Sequence, residues 1–555
     1  MSRVDIRSTA TREWAGLGLL ALPTMLLGLD VTVLYLVLPR MAEALNPSAT
    51  QTLWIMDAYG FFIAGFLLTM GTLGDRIGRR RLLVIGTTAF AAVSILAAFA
   101  PNAELLIVAR ALLGVAGATL MPSTLSLISN IFRDARRRAV AIGIWATMFA
   151  LGMAAGPVIG GALVDTFWWG AAFLLAVPVA AIVVALAPIL LPEHADPHGE
   201  RLDPASVALS LAAILPVIYA VKHAAAHQPD LGTALLALIG LVAGAAFVRR
   251  QRGLTAPLLD VTLFVNRAFS AALGVLLIGL IGVGGTMYLV TQYLQLVEGM
   301  TPFTAGLWMG PPALAMFAAA IGAPLLARRI RPGLLMAATL GLSVIGYALL
   351  TVADTGDAVL VITGFAFVYL GLGAIAALGT DMVVGATPAA QSGSAAAMSE
   401  TVQELGLAVG VAILGSLTTA LYTARMTAPA NLTAAVEGRV TDSLAGALSV
   451  ADQVPAETVQ AAREVFTSGV NVAAAVAGVA IVAATVVCLA TLGHLRPGSG
   501  GQKQPTPPPL MRPPPRPPPR GPLPMCPMVR HFVETRPEYL PMVPHWARGR
   551  LGLPQ

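Results

Sequence analysis

Along most of the chain, apolar residues run on for about twenty positions at a time between short clusters of charge. Charge-free runs fall at 82–100, 139–164, 166–192, 204–221, 231–248, 268–297, 299–327, 332–353, 358–380, 405–424 and 465–495. Three more runs, at about 14–38, 54–74 and 104–128, are interrupted by Asp30, by Asp57 near one end, and by Arg110. A hydrocarbon core of about 30 Å is crossed by roughly 20 residues of helix. The pattern therefore predicts an all-α polytopic membrane protein with fourteen crossings. Arg3, Arg7 and Arg12 precede the first run as they would in a signal peptide. That run is too long and lacks a small-residue cleavage site, so a retained helix is expected.

Two segments break the pattern. Residues 424–464 alternate Ala-rich stretches with charges, which predicts an outer loop folding as a short helical hairpin over the outer mouth. The segment 496–555 holds 18 of the 40 prolines, including a Pro-Pro-Pro-Arg repeat at 513–520. It can neither donate enough backbone hydrogen bonds nor bury a core, so polyproline II or disorder is expected. A dispensable extension is the preferred reading of it, ahead of a docking ligand for a partner domain.

Composition supports the membrane reading. Apolar residues make up 57% of the 555 and charged residues 11%, against about 25% charged in a soluble domain, which excludes a single soluble globule. The net charge of +6 could suggest nucleic acid, but its placement decides otherwise. Twenty-eight of the basic residues fall on the side that carries the N-terminus, and five (Arg40, Lys222, Arg425, Arg439 and Arg463) fall on the other. By the positive-inside rule both termini face the cytoplasm, and no nucleic-acid partner is expected. Neither lysine, Lys222 or Lys503, follows a glycine, so no phosphate-binding Gly-Lys pair is present. Cys488 and Cys526 cannot build a disulfide framework, and the His223/His227 pair lacks further ligands for a metal. No nucleophile–base set stands out, and an enzyme is not expected.

The intramembrane charges are the candidate chemistry. A charge at the bilayer centre costs about 2.5–3.5 kcal/mol on insertion scales, so one that persists faces a cavity or a partner. Asp30 lies deep in the first span and Arg110 in the fourth; Asp57 begins the second; Glu400 and Glu404 share a helix face in the thirteenth. Such carboxylates can take either a proton or a lipophilic cation, and competition for one site is the simplest basis for antiport. Asp30 could instead pair with Arg110, and Asp57 could serve as a hydrated cap. Tyr59, Trp145, Phe149, Tyr288 and Tyr293 would suit a cation site through their ring faces, or mark interfaces and cores.

Three motifs resemble a known family. The loop Gly71-Thr72-Leu73-Gly74-Asp75-Arg76-Ile77-Gly78-Arg79-Arg80-Arg81 resembles the loop signature of the major facilitator superfamily. Gly143, Gly152, Gly156, Pro157, Gly160 and Gly161 in the fifth span resemble the antiporter motif of its export branch. Leu29-Asp30-Val31-Thr32 and Leu38-Pro39 are similar to the first-helix motif of the fourteen-helix drug/proton antiporters, with Tyr35 where that motif usually has Asn. The resemblance covers about residues 14–492.

It implies two six-helix bundles, 1–192 and 268–495, with an inserted helix pair within 193–267. It implies proton-coupled efflux of lipophilic cations such as quaternary ammonium compounds, dyes and methyl viologen-like molecules. The protein would act as a monomer in the bilayer of a bacterial cytoplasmic membrane, with no cofactor beyond the proton gradient. In that scheme Asp30, Glu400 and Glu404 couple protons, and Asp57 joins the aromatic residues in binding substrate. Asp75, Arg76, Arg79 and Arg110 form a conformational latch, and the Gly156-Pro157 region bends the fifth helix. A dedicated exporter of a natural product or lipid, or a membrane sensor with a recruiting tail, are the alternatives.

Overall fold

A computed structural model of the chain describes residues 3–132, 134–193, 203–226, 230–254, 257, 261–387, 392–429 and 432–493. Some helical side chains among them, those of residues 3–11 and of Asp75 included, lie outside the described set. So do the proline-rich residues 496–555 and His227.

The first bundle contains α1 (Arg3–Leu45), α2 (Ala49–Ile77), α3 (Arg79–Ala98), α4 (Ala103–Ile131), α5 (Ala135–Thr166) and the short α6 (Ala171–Leu174), which leads into α7 (Ala176–Leu190). The inserted pair is α8 (Pro204–Ala226) and α9 (Leu231–Gly253). The second bundle begins with α10 (Arg267–Gln292), extended by a π-turn at Tyr293–Val297. It continues through α11 (Pro302–Trp308), α12 (Gly310–Leu326), α13 (Pro332–Thr351) and α14 (Ala358–Gly385). Next come α15 (Ser392–Gly410), a second π-turn at Val411–Gly415, and α16 (Ser416–Arg425). The predicted hairpin is present as α17 (Ala434–Asp442) and α18 (Leu444–Ser449), followed by α19 (Ala456–Leu492). Among the described residues, twelve helices are long and apolar enough to cross a membrane. α2 and α8 have 29 and 23 residues, which is compatible with fourteen crossings.

Local signals set the turns. Asn46 takes φ 48 after α1, a conformation that Asn tolerates better than most residues. Ser48 then caps α2: its hydroxyl accepts from Gln51 N at 3.2 Å, while the Gln51 side chain accepts from Ser48 N at 2.9 Å. Gly78, at φ +107, makes the turn from α2 to α3, and a Cβ there would strike the Glu193 carboxylate. Asn102 and Asp134 cap α4 and α5.

Glycines decide which helices meet. α1 and α5 pack backbone to backbone, because a Cβ at Gly28 would strike the Phe149 carbonyl and one at Gly152 the Met25 carbonyl. Thr32 Oγ1 donates to Met153 O at 3.0 Å across the same seam. Gly156 lies against Thr32 and Gly160 against Val33, while Gly143 borders open space. Two faces of the molecule need names. The hairpin face carries α17 and α18; the basic face carries the Arg76–Arg81 loop.

The contacts joining the two bundles run from mid-depth to the hairpin face. Gly161 packs on Pro302 and Phe303, and Asp165 Oδ2 accepts from Phe303 N at 3.1 Å. Gly60 of α2 packs on Ala408 of α15, and Gln295 Nε2 donates to Tyr35 O at 3.4 Å. Asp442 Oδ2, at the end of α17, accepts from Ala49 N at 3.3 Å. α8 packs into the seam between the bundles, where Ile214 and Leu215 sit with Phe61 of α2 and Ala412 of the second π-turn.

Candidate functional site

Three helices of the first bundle bring polar side chains to one small cavity at the seam. Arg110 enters from α4 and is 2% exposed, and its partner Asp30 of α1 is 6% exposed. Arg110 Nη1 lies 2.9 Å from Asp30 Oδ2. Arg110 Nε donates to Ile55 O at 3.1 Å, and its guanidinium carbon lies 4.6 Å from the Tyr59 ring centroid. The cation is therefore held by an acid, a carbonyl and an aromatic face at once, which is how a buried charge is tolerated. The carbonyl comes from α2, so the pair also ties α1, α2 and α4 together.

Asp57 and Tyr59 of α2 line the same cavity, and Glu404 enters it from α15 of the second bundle. Asp57 and Glu404 are 1% and 5% exposed. The remaining wall is largely apolar, with Tyr35 of α1 completing it. The cavity measures about 30 Å³, room for a single water. A molecule of drug size does not fit it as it stands. Two carboxylates, Asp57 and Glu404, and the guanidinium of Arg110 thus line a nearly dry space contributed by both bundles, with Asp30 paired to Arg110. In such a space an unpaired charge is costly.

The other predicted site residues are placed as follows. Glu400, one helical turn from Glu404 toward the basic face, is partly exposed. Trp145 is buried, and its Nε1 donates to Thr124 Oγ1 at 3.0 Å, tying α5 to α4. Phe149 is partly buried in the α1–α5 seam. Tyr288 lines a different, larger chamber on the hairpin face. Tyr293 hydrogen-bonds Asp354 O through its hydroxyl, which accepts from Asp357 N at 3.2 Å; it anchors the α13–α14 turn, away from the cavity.

Arg110, which the sequence groups with the 71–81 latch, sits instead at the Asp30 pair. Arg76 is exposed and Arg79 buried near the α2–α3 turn. The basic loop is held by a residue that the sequence reading passed over. Glu193 Oε2 lies 3.4 Å from Arg80 Nε and 3.9 Å from Arg81 Nε, and Glu193 Oε1 accepts from Arg80 N at 3.3 Å. Its one signal in the sequence was an acid placed just after the sixth span.

Residues 20–411 match the sequence profile described as the Major Facilitator Superfamily. The chain belongs to that superfamily. Among superfamily members it is 44% identical over 484 residues to the multidrug efflux pump LfrA of Mycolicibacterium smegmatis, covering 86% of this chain and 96% of that protein. It is 33% identical over 477 residues to the methyl viologen resistance protein SmvA of Salmonella typhimurium, covering 84% and 96%. The fold matches the bacterial homologue of the human lysosomal transporter Spinster, solved inward-facing and unoccupied. That match has a TM-score of 0.59 at 14% identity, covering 87% of this chain and 97% of that one.

Proposed function

We propose that this chain is a multidrug efflux transporter that exchanges lipophilic cations for protons. The observation that carries the reading is the placement of Glu404, from the second bundle, in the cavity of the first bundle's Asp30–Arg110 pair, with Asp57 beside it. A carboxylate contributed across the seam is solvated or desolvated as the bundles part and meet. It can therefore release a proton in one state and take it up in the other. The names of the superfamily relatives, a multidrug pump and a methyl viologen resistance protein, fit a cationic, lipophilic cargo.

In this scheme Glu404 is the principal exchange group, with Glu400 on its path to the basic face. Asp57 and Tyr59 meet the cation once the cavity has widened. Asp30 is held by Arg110 and keeps the cavity's charge in place. The basic face is the cytoplasmic one, by the excess of arginine there, and both termini lie on that side of a bacterial cytoplasmic membrane. The joined hairpin face closes the midplane site on the side opposite the cytoplasm. The protein works as a monomer, and rocking of one bundle on the other exposes the midplane site to each side in turn.

The test uses purified protein in proteoliposomes with an imposed pH gradient and ethidium as cargo. Gradient-driven ethidium movement with protons moving the opposite way, lost in Glu404→Gln while the protein stays monodisperse, is the expected result. Undiminished proton-coupled movement in Glu404→Gln would overturn the assignment. A single transported class of natural product, with no response to cations, would instead favour a dedicated exporter.

A further inference from the structure

Beneath the α17–α18 hairpin lies a second chamber of about 860 Å³, within the range of about 300–1,000 Å³ typical of small-molecule sites. Both bundles build it: the end of α1 and the start of α2 on one side, and α10, α16 and α19 on the other. Leu38, Leu289, Leu296, Met300 and Phe466 give it apolar walls. Gln292 lines it, is 5% exposed, and has an amide nitrogen without a hydrogen-bond partner.

The charges around this chamber are the reverse of those at mid-depth. Its walls include Arg40, Arg439 and Arg463 against Glu43 and Asp442. Arg40 and Glu43 pair at 3.3 Å. Asp442 accepts from Ala49 N at the N-terminus of α2, where the helix dipole favours an anion. Arg439 and Arg463 remain as a positive excess, and Arg463 Nε is buried without a hydrogen-bond partner. The mid-depth cavity, lined by Asp57 and Glu404 with Arg110 already paired to Asp30, has a negative excess.

We propose that the hairpin-roofed chamber is a release site for the exported molecule. It holds the cargo by its apolar walls, while Arg439 and Arg463 keep its affinity for a positive charge low. A cation reaching it leaves a carboxylate-rich site for an arginine-rich one, and return from the hairpin side is disfavoured. The inference rests on the export reading above and adds a second site to it.

The test measures gradient-driven ethidium efflux while ethidium is added on the hairpin side, and reads the added concentration that halves the rate. Arg463→Gln should lower that concentration roughly three- to tenfold, the order expected for removing one unit charge from a partly hydrated chamber. Arg463→Lys, which keeps the charge, should restore it. If Arg463→Gln does not yield monodisperse protein, Arg439→Gln carries the same expectation. Normal wild-type efflux with no shift, or with equal shifts for Arg463→Gln and Arg463→Lys, would overturn the release site alone. Wild-type protein that moves no ethidium under a gradient would overturn the export reading, and the release site with it.

Discussion

The Asp30–Arg110 pair sets up a double-mutant cycle whose outcome follows from burial. The two side chains are 8% and 3% exposed and 2.9 Å apart. At an effective dielectric of about 20 and a charge separation of about 4 Å, their attraction is about 4 kcal/mol. Asp30→Asn leaves a buried guanidinium without its acid. Arg110→Gln leaves a buried carboxylate without its base, and also loses the Ile55 carbonyl bond and the Tyr59 ring contact. Breaking one partner of a buried pair costs about 3–5 kcal/mol, so each single variant should lose about that much, Arg110→Gln the more. The double variant leaves no stranded charge and should lose about 2 kcal/mol less than the sum of the singles. Thermal unfolding in detergent, followed by tryptophan fluorescence with size-exclusion profiles as a control, reads the four corners of the cycle. Additive losses would refute the reasoning, because they would mean that the two charges do not feel one another.

The α1–α5 seam makes opposite predictions for two glycines of one motif. Gly152→Val drives a Cβ into the Met25 carbonyl and should cost at least about 3 kcal/mol, seen as lost monodisperse yield. Gly143→Ala meets nothing within 4 Å and should be neutral or stabilising by up to about 1 kcal/mol. Tyr293→Phe removes the hydroxyl that holds the Asp354–Asp357 turn and should lower stability by about 1–2 kcal/mol with cation KM unchanged; a raised KM would return Tyr293 to the substrate site. At the start of α8, hydrogen bonds from Arg250 at 2.6 and 2.8 Å, then one from Ser206, hold the Asp203 carboxyl below its ordinary range. Its stabilisation is present above the unfolded carboxyl pKa of about 3.9 and is lost as pH falls through the lower folded value. The Tm gap between wild type and Asp203→Asn should therefore hold from pH 5 to 8 and close in stronger acid. A gap that changes near neutrality would point to another group.

Much of the fold was legible because lipid imposes its demands on composition. Long runs without charge leave helix as the one economical choice, and the loop arginines carry the orientation. The breaks within crossings were less visible. Gly310-Pro311-Pro312 after α11 announces an interruption, but nothing in Tyr293–Val297 or Val411–Gly415 marks the π-turns found there. At the site, Asp30, Asp57, Arg110 and Glu404 stood out because charges are rare in such runs, and the Asp30–Arg110 pair was one of two readings open for Asp30. The aromatic residues were harder to place, since a ring that suits a cation suits an interface equally well. Trp145 and Tyr293 use their polar atoms on Thr124 and the α13–α14 turn instead. Tyr35, visible only as a departure from a motif, lines the cavity. Glu193 became important through a contact 113 positions away, which no local pattern encodes.

If the proposed exchange holds, the size of the mid-depth cavity bears on how protons and cargo would exclude each other. At about 30 Å³ it holds a water but no organic cation, so in this state cargo is excluded from Glu404 and Asp57 while a proton is not. For cargo to reach them, α2 must part from α15 at the Gly60–Ala408 contact, which lies within one helical turn of both Asp57 and Glu404. In the proposed cycle, the movement that admits a cation would therefore also hydrate the carboxylates and permit proton loss. Closing the seam again favours whichever neutraliser fits, and the larger one must leave. On this argument competition needs no carboxylate to contact proton and drug at once. It needs a seam whose width decides between them, with Glu404 carried on one bank and Asp57 beside the fixed Asp30–Arg110 pair on the other.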